Sequence, residues 1–392
     1  MEPPESEDAL AEAAETLFGR YATIGPDEHR QAVLAFAACP RPYYDAARER
    51  WLVGSYHSAK SVLKDSRLGN DLGRARSRTN SERLHTRLSP DAPSLLFLDP
   101  PEHDLIKAEL ARLFTREALD ALRGTVRERW REALRSLDAG GRLDLGAAVV
   151  HPICVEGVFD VLGLERPAPE DVPALVDDLY DVNLLFDLNA SDAQRARSRS
   201  ANLRLRELVA RLLPGSAVAE RMSAGGADDD VIVSTTVFML RAAVVTLGSL
   251  LMSALAEQLA PQGRPADGAD LHSLLIRHTP TGDTGRVTTE HVTLDGVDIP
   301  AGRTVITLIS SANAGLLADE AHPAGHLVFG AGDHRCVGER LVRMQVEAAV
   351  DATAECGRQA APVLTHPHRT PSFRGFREVQ VEIGPEAPHG DR

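Results

Sequence analysis

Residues 329–338 read Phe329-Gly-Ala-Gly-Asp-His-Arg-Cys-Val-Gly338. Glycines at 330, 332 and 338 allow a tight turn and the close approach of a flat ligand. Cys336 then stands at the head of a helix, along which Val337, Leu341, Met344 and Ala348 share one face. Backbone N–H groups at a helix start favour a thiolate over a thiol. A thiolate held at a preformed turn is what a haem iron takes as a strong axial donor. Two plainer readings remain open for these residues alone. One is a buried, inert cysteine after a glycine turn. The other is a zinc site drawn from His322, His326, His334 and Cys336, which leaves Phe329 and the glycines without a role.

Moving outward, the chain has 392 residues, a formal net charge of −14 and 43% hydrophobic residues. That is the composition of a globular protein, not of a disordered or collagenous chain. The acidic balance argues against a general nucleic-acid binder. The cysteines at 39, 154, 336 and 356 form no Cys-x-x-Cys pair, so a zinc ribbon or thioredoxin-like redox pair is not indicated. The acidic, Ala-rich start from Met1 to Leu17 lacks the pattern of a signal peptide, which points to the cytoplasm and reduced thiols. From Val231 to Ala256 the single charge is Arg241. The run is long enough for a membrane span, but its Ser, Thr and Ala content and its central arginine favour a helix buried on all sides. No membrane association is expected.

The chain reads as mainly α with small β-sheets. Residues 1–16 read as a flexible tail and 17–392 as one domain, without a linker to divide it. Trp51 to Tyr56 predicts a strand followed by an amphipathic helix. Residues 70–95 form a long aperiodic loop of the kind that often serves as a lid. At Asp99-Pro-Pro-Glu102, Asp99 is expected to cap a helix and Pro100 to occupy its first turn. Asp228-Asp-Asp230 opens the long apolar helix. Arg286 to Leu308 predicts short strands with turns at Asp295-Gly296 and Pro300-Ala-Gly302, and Pro371 to Ile383 a final strand.

The Cys336 segment closely resembles the haem-binding loop of the cytochrome P-450 family, Phe-x-x-Gly-x-His/Arg-x-Cys-x-Gly, at every fixed position. Leu98-Asp-Pro-Pro-Glu-His103 is similar to the family segment in which a histidine, and a basic residue four positions later, hold a haem propionate. Here these are His103 and Lys107, on one helical face. Arg286 and His334 match the family's other propionate ligands. Trp51 to Asp65 and His368 to Gly375 also resemble family segments, so the likeness spans about residues 30–384.

Two departures carry information. The family's central helix places an acid before a threonine above the haem, and the pair handles protons for dioxygen. Here the matching segment is Ala242-Ala-Val-Val-Thr246, with Thr246 kept and Val245 in place of the acid. The family's Glu-x-x-Arg becomes Leu274-Leu-Ile-Arg277, and the segment ahead of the haem loop is shortened. An Arg277 without its glutamate would turn to solvent or pair with Asp319 or Glu320.

The resemblance therefore implies a haem-thiolate monooxygenase with one haem b on Cys336. Phe329 and Gly338 shape the loop; His103, Lys107, Arg286 and His334 hold the propionates; Thr246 organises protons. It implies a small organic substrate, dioxygen and two electrons from a ferredoxin-type donor, which Arg112, Arg335, Arg340 and Arg343 could receive. The alternative implied by the departures is a non-oxygenating helper that stabilises a partner enzyme such as a glycosyltransferase.

Overall fold

The computed structural model describes residues 7–21, 23–71, 94–137, 140–184, 190–260, 271–318, 325–356, 358–368 and 372–386. Its spine is the long apolar helix. Asp228 caps it, accepting from the Val231 N–H at 2.8 Å, and Asp229 and Asp230 fill the first turn where the helix dipole favours acids. The helix runs from Asp229 to Arg241, makes a π turn over Ala242–Leu247, and continues from Gly248 to Leu259. It is long and apolar enough to cross a bilayer, yet 67% of its most apolar window is buried inside the protein. Helices His151–Leu162, Val172–Asn183, Asp192–Leu212 and Glu339–Cys356 pack around it. Trp130, on helix Arg116–Arg135, is fully buried and donates its indole N–H to the Gln345 amide oxygen at 2.8 Å. A buried Trp needs such a partner for its polar edge.

A five-stranded sheet stands beside this helical body in the order β1-β2-β8-β5-β3. Its strands are β1 (Tyr43–Asp45), β2 (Arg50–Val53), β3 (Leu68–Gly69), β5 (Thr284–Thr288) and β8 (Thr304–Thr307). Strands β2 and β8 run parallel with Trp51 opposite Val305, and β5 returns antiparallel with Arg286 opposite Val305. A second sheet joins β4 (Arg142–Asp144), β10 (Phe376–Glu386) and β9 (Arg358–Pro367). The hairpin β6 (Val292–Leu294) and β7 (Val297–Ile299) turns at Asp295 and Gly296, both at positive φ.

Three expectations need correction. The first concerns the loose tail: Glu7–Phe18 is a helix whose Leu10, Ala13, Ala14 and Leu17 are buried with Phe36 and Leu52. The second concerns Asp99, which caps no helix. The helix starts at Glu102, and Asp99 instead accepts from the backbone N–H of Asn70 at 2.6 Å. The third is Arg277, on helix Leu271–Arg277, which donates to Glu257 of the central helix at 2.8 Å; His278 meets the same carboxylate at 2.8 Å. Leu274 at the family's glutamate position is fully buried, where a carboxylate would be costly. The candidate partners Asp319 and Glu320, and most of the 70–95 loop, lie outside the described residues.

Candidate active site

The cysteine loop closes on itself through short backbone bonds. The Cys336 N–H donates to the Phe329 carbonyl at 2.9 Å, Gly330 to Leu327 at 2.9 Å, and Arg335 to Gly332 at 3.1 Å. Gly330 and Gly332 both sit at φ +70°, which a side chain rarely adopts. A Cβ at 332 would collide with the backbone oxygen of Leu63 on helix Tyr56–Lys64. Phe329 is buried, with the Arg343 guanidinium 5.3 Å over its ring. The loop thus faces Cys336 into a cavity of about 460 Å³. The thiol is walled in by protein but open to that cavity.

The same cavity is lined by all eight residues expected to hold the haem or organise protons: His103, Lys107, Thr246, Arg286, Phe329, His334, Cys336 and Gly338. His103 and His334 come from helix Glu102–Leu110 and from the cysteine loop, and their rings lie 4.0 Å apart between centroids. His103 Nδ1 is 2.8 Å from the Asp104 carboxylate. Burial pushes both imidazoles down, His334 furthest because His103, Arg286 and Lys107 also repel its proton. Arg286 is buried on β5 and donates to the Thr284 hydroxyl and the Gly285 carbonyl, both uncharged. Burial lowers its pKa to about 10. Lys107 is not simply aimed at a ligand: it donates to the carbonyls of Asp333 and Arg335 in the loop itself.

Opposing effects act on the Cys336 thiol. Burial raises the thiol's pKa, and the Gly338 N–H with Lys107 only partly opposes this. On the central helix, Thr246 lines the cavity from the π turn and donates to the Ala242 carbonyl. Val245 is fully buried and is absent from the cavity wall.

These residues fit a haem. A thiolate donor faces the cavity, and four cationic or N–H-bearing side chains converge at its edge, as two carboxylates require. The wall between them is apolar, with Leu95, Phe114, Leu247 and Leu341. Of the zinc candidates, His322 lies outside the described residues and His326 faces Phe329 and Arg343; no group of three potential metal ligands occurs among the described residues.

Comparisons with known proteins agree. No family model matches the chain. Cytochrome P450 107B1 of Saccharopolyspora erythraea is 27% identical over 336 residues, covering 78% of this chain and 82% of that protein. The monooxygenase PikC of Streptomyces venezuelae is 25% identical over 400 residues, covering 88% and 91%. Among solved structures, the P450 enzyme CxnD superposes with a TM-score of 0.77 over 94% of this chain and 98% of that one, at 21% identity. CalO2 gives 0.75 over 93% and 98%, at 22% identity. The chain has the cytochrome P450 fold and is similar over most of its length to bacterial P450 enzymes. This P450 is a haem-dependent monooxygenase, its iron held by a cysteine thiolate.

Of the four arginines expected to form a docking face, Arg112 pairs with Glu109, Arg335 and Arg343 share Glu339, and Arg340 donates to the Phe114 carbonyl. Among the described residues of 180–200, none lines the cavity wall. What sequence reasoning missed in this P450 is Arg241, which lines the cavity beside Thr246. The signal was present as the lone charge in an apolar run.

Proposed function

We propose that this P450 oxidises a small organic substrate of secondary metabolism, with dioxygen and two electrons from a ferredoxin-type donor, as a single haem domain in the cytoplasm. The observation that carries the reading is the convergence on one cavity of Cys336, Thr246 and the quartet His103, Lys107, Arg286 and His334. Relatives include a nocardicin C N-oxygenase of Nocardia uniformis and a mycinamicin IV hydroxylase/epoxidase of Micromonospora griseorubida, which supports a secondary metabolite as substrate.

In this reading Cys336 holds the iron, and the quartet binds the propionates by charge-assisted bonds. Haem, when bound, supplies the activation of dioxygen. Phe329 and the loop glycines exclude water from the thiolate side. The Thr246 hydroxyl holds a proton next to the reaction space and exchanges its bond to the Ala242 carbonyl for one to an incoming water or substrate. Substrate or ordered water completes the proton route that Val245 does not provide.

The test is the absorption spectrum of the purified protein, reduced and with carbon monoxide. It should show the red-shifted Soret band of thiolate–haem. Cys336→Ser should abolish that band, whereas Cys39→Ser, Cys154→Ser and Cys356→Ser should keep it. A colourless protein that cannot be reconstituted with haem would overturn the reading in favour of the helper protein.

A further inference from the structure

We infer that the substrate carries a neutral head pairing a hydrogen-bond acceptor with a donor, as a primary carboxamide does, and that Arg50 and Asp283 hold it. The inference deepens the oxygenase reading and rests on it for the identity of the cavity as the substrate site. Both residues line that cavity. They reach it from one face of the five-stranded sheet. Arg50 of β2 stands opposite Thr304 of β8, and Ile306, two residues on, stands opposite Gly285 of β5. Opposed residues share a face, as do residues two apart along a strand. Asp283, two before Gly285, follows the same alternation, and its charge is felt at Arg50. Arg286 falls on the alternate face. The patch is thus distinct from the cations proposed for the propionates.

The guanidinium of Arg50 is held in place before any ligand arrives. Its Nε donates to Asp45, itself buried, at 3.3 Å, and the Phe18 ring lies beneath it at 3.8 Å. Little side-chain freedom is left to lose on binding. Its Nη2 is buried and, among the described residues, has no hydrogen-bond partner. A buried donor left without an acceptor is costly, so this one calls for an acceptor from whatever fills the cavity.

Asp283 has the complementary need. Among the described residues its two oxygens share one donor, the Ser372 hydroxyl, at 3.1 and 3.3 Å. A carboxylate offers about four acceptor positions, so capacity is left over. Burial pushes the carboxyl up, and Arg50 with that hydroxyl opposes it only in part. Gly285 on the same face carries no side chain and also lines the cavity. A guest that accepts from Nη2 and donates to Asp283 satisfies both residues. Asp45 already balances Arg50, so an anionic head would meet Asp283 uncompensated. A cation on Asp283 would leave Nη2 without an acceptor. A carboxamide presents C=O and N–H together and brings no charge out of water. Ile306, Ile309 and Phe97 give its apolar remainder a wall.

The probes are 4-phenylbutanamide, its methyl-ketone isostere 5-phenylpentan-2-one, and the matching acid and amine, 4-phenylbutanoate and 4-phenylbutylamine. Each is titrated by calorimetry into the haem-loaded full chain at pH 7. The amide should bind about tenfold tighter than the ketone, which keeps the acceptor but has no donor for Asp283. It should also bind tighter than the acid and the amine. Asp283→Ala should erase the preference for amide over ketone. Arg50→Met should weaken amide and ketone alike, by about tenfold. Arg50 keeps Asp45 in the first variant and Asp45 keeps Arg48 in the second, and either serves alone if the other does not fold. A wild type without the amide preference, whether it binds every probe or none, overturns the proposal. So does tighter binding of the acid or the amine, a folded Asp283→Ala that keeps the preference, or a folded Arg50→Met that binds both as before. Haem content is scored separately by the Soret band. A normal thiolate–haem spectrum without amide preference sinks the head-group site alone, while amide preference in a protein that takes no haem sinks the oxygenase reading alone.

Discussion

The ammonium of Lys107 donates to the backbone carbonyl of Arg335 at 2.8 Å, one residue ahead of Cys336. Helix Glu102–Leu110 is thereby fastened to the turn that carries the thiol, and the same helix supplies His103 to the cavity. Lys107 has a structural task beside its proposed part in binding propionate.

Lys107→Ala should therefore loosen the loop as well as remove a charge. Leaving a loop carbonyl without its donor costs about 1–3 kcal/mol. Haem should dissociate at lower temperature, and protease should cut within 330–338 more readily. Lys107→Arg should restore much of both. Adding His103→Ala should weaken haem retention further while circular dichroism stays unchanged. Equal haem-loss midpoints for wild type and Lys107→Ala would refute the bracing role.

Thr246 and Val245 predict opposite outcomes although they are neighbours. Thr246→Ala should divert more reducing power to peroxide, because its hydroxyl lines the cavity. Val245→Asp should not improve coupling, since residue 245 is fully buried off the cavity wall. The new carboxylate should lower stability by several kcal/mol and stay protonated at neutral pH. Thermal denaturation measured beside peroxide release separates the two cases.

Glu257 joins the central helix to Arg277 and His278. The His278 hydrogen bond, and then Arg277, pull its carboxyl down to about 2 against burial. A depressed acid contributes stability above its unfolded value, near 4.5, and loses it as pH falls toward 2. The cluster is partly exposed, so Glu257→Gln should cost only about 0.5–1 kcal/mol at pH 7. The difference should vanish in urea titrations near pH 2. Leu274→Glu, by contrast, should destabilise strongly, because the site is fully buried and Arg277 is already engaged with Glu257.

His151 and His368 flank Tyr180 behind the central helix. His151 Nε2 is 3.1 Å from the Tyr180 hydroxyl, and His368 Nε2 is 2.6 Å from Ser249 Oγ. Burial, with Arg377 nearby, lowers each imidazole to about 4, while Asp177 acts weakly the other way on His151. The unfolded state binds more protons between that value and 6.5. Stability is thus complete above pH 6.5 and falls as pH drops toward 4, each imidazole contributing up to about 1.4 kcal/mol of loss per pH unit. His151→Asn should flatten this acid limb in denaturant titrations run from pH 7 down to the folded-state value. An unaltered limb would show that other groups set it.

Much of this arrangement was legible in the sequence because it is local. The cysteine turn, the capped central helix with its acids, and the i,i+4 pair His103 and Lys107 are each set within a few residues. The helix Glu7–Phe18 was also legible: Leu10, Ala13, Ala14 and Leu17 keep a helical period that the acidic composition hid. Other features depend on contacts across the chain. Asp99 gave up a helix cap for the N–H of Asn70, 29 positions away. Arg277 found Glu257 on a helix whose packing no short pattern reveals. The π turn adds a residue to the central helix and rotates the turns beyond it, so a 3.6-residue period cannot tell which of Val245 and Thr246 faces the cavity.

Gly332 leaves no room between the cysteine turn and Leu63. Helix Tyr56–Lys64 acts as a gauge for the turn: only a backbone bare of Cβ passes beneath it. The two must seat together during folding, and a displaced helix Tyr56–Lys64 would press on the turn that carries the sulfur ligand. Gly332 is therefore where a helix that supplies no expected ligand governs how firmly the prosthetic group is kept.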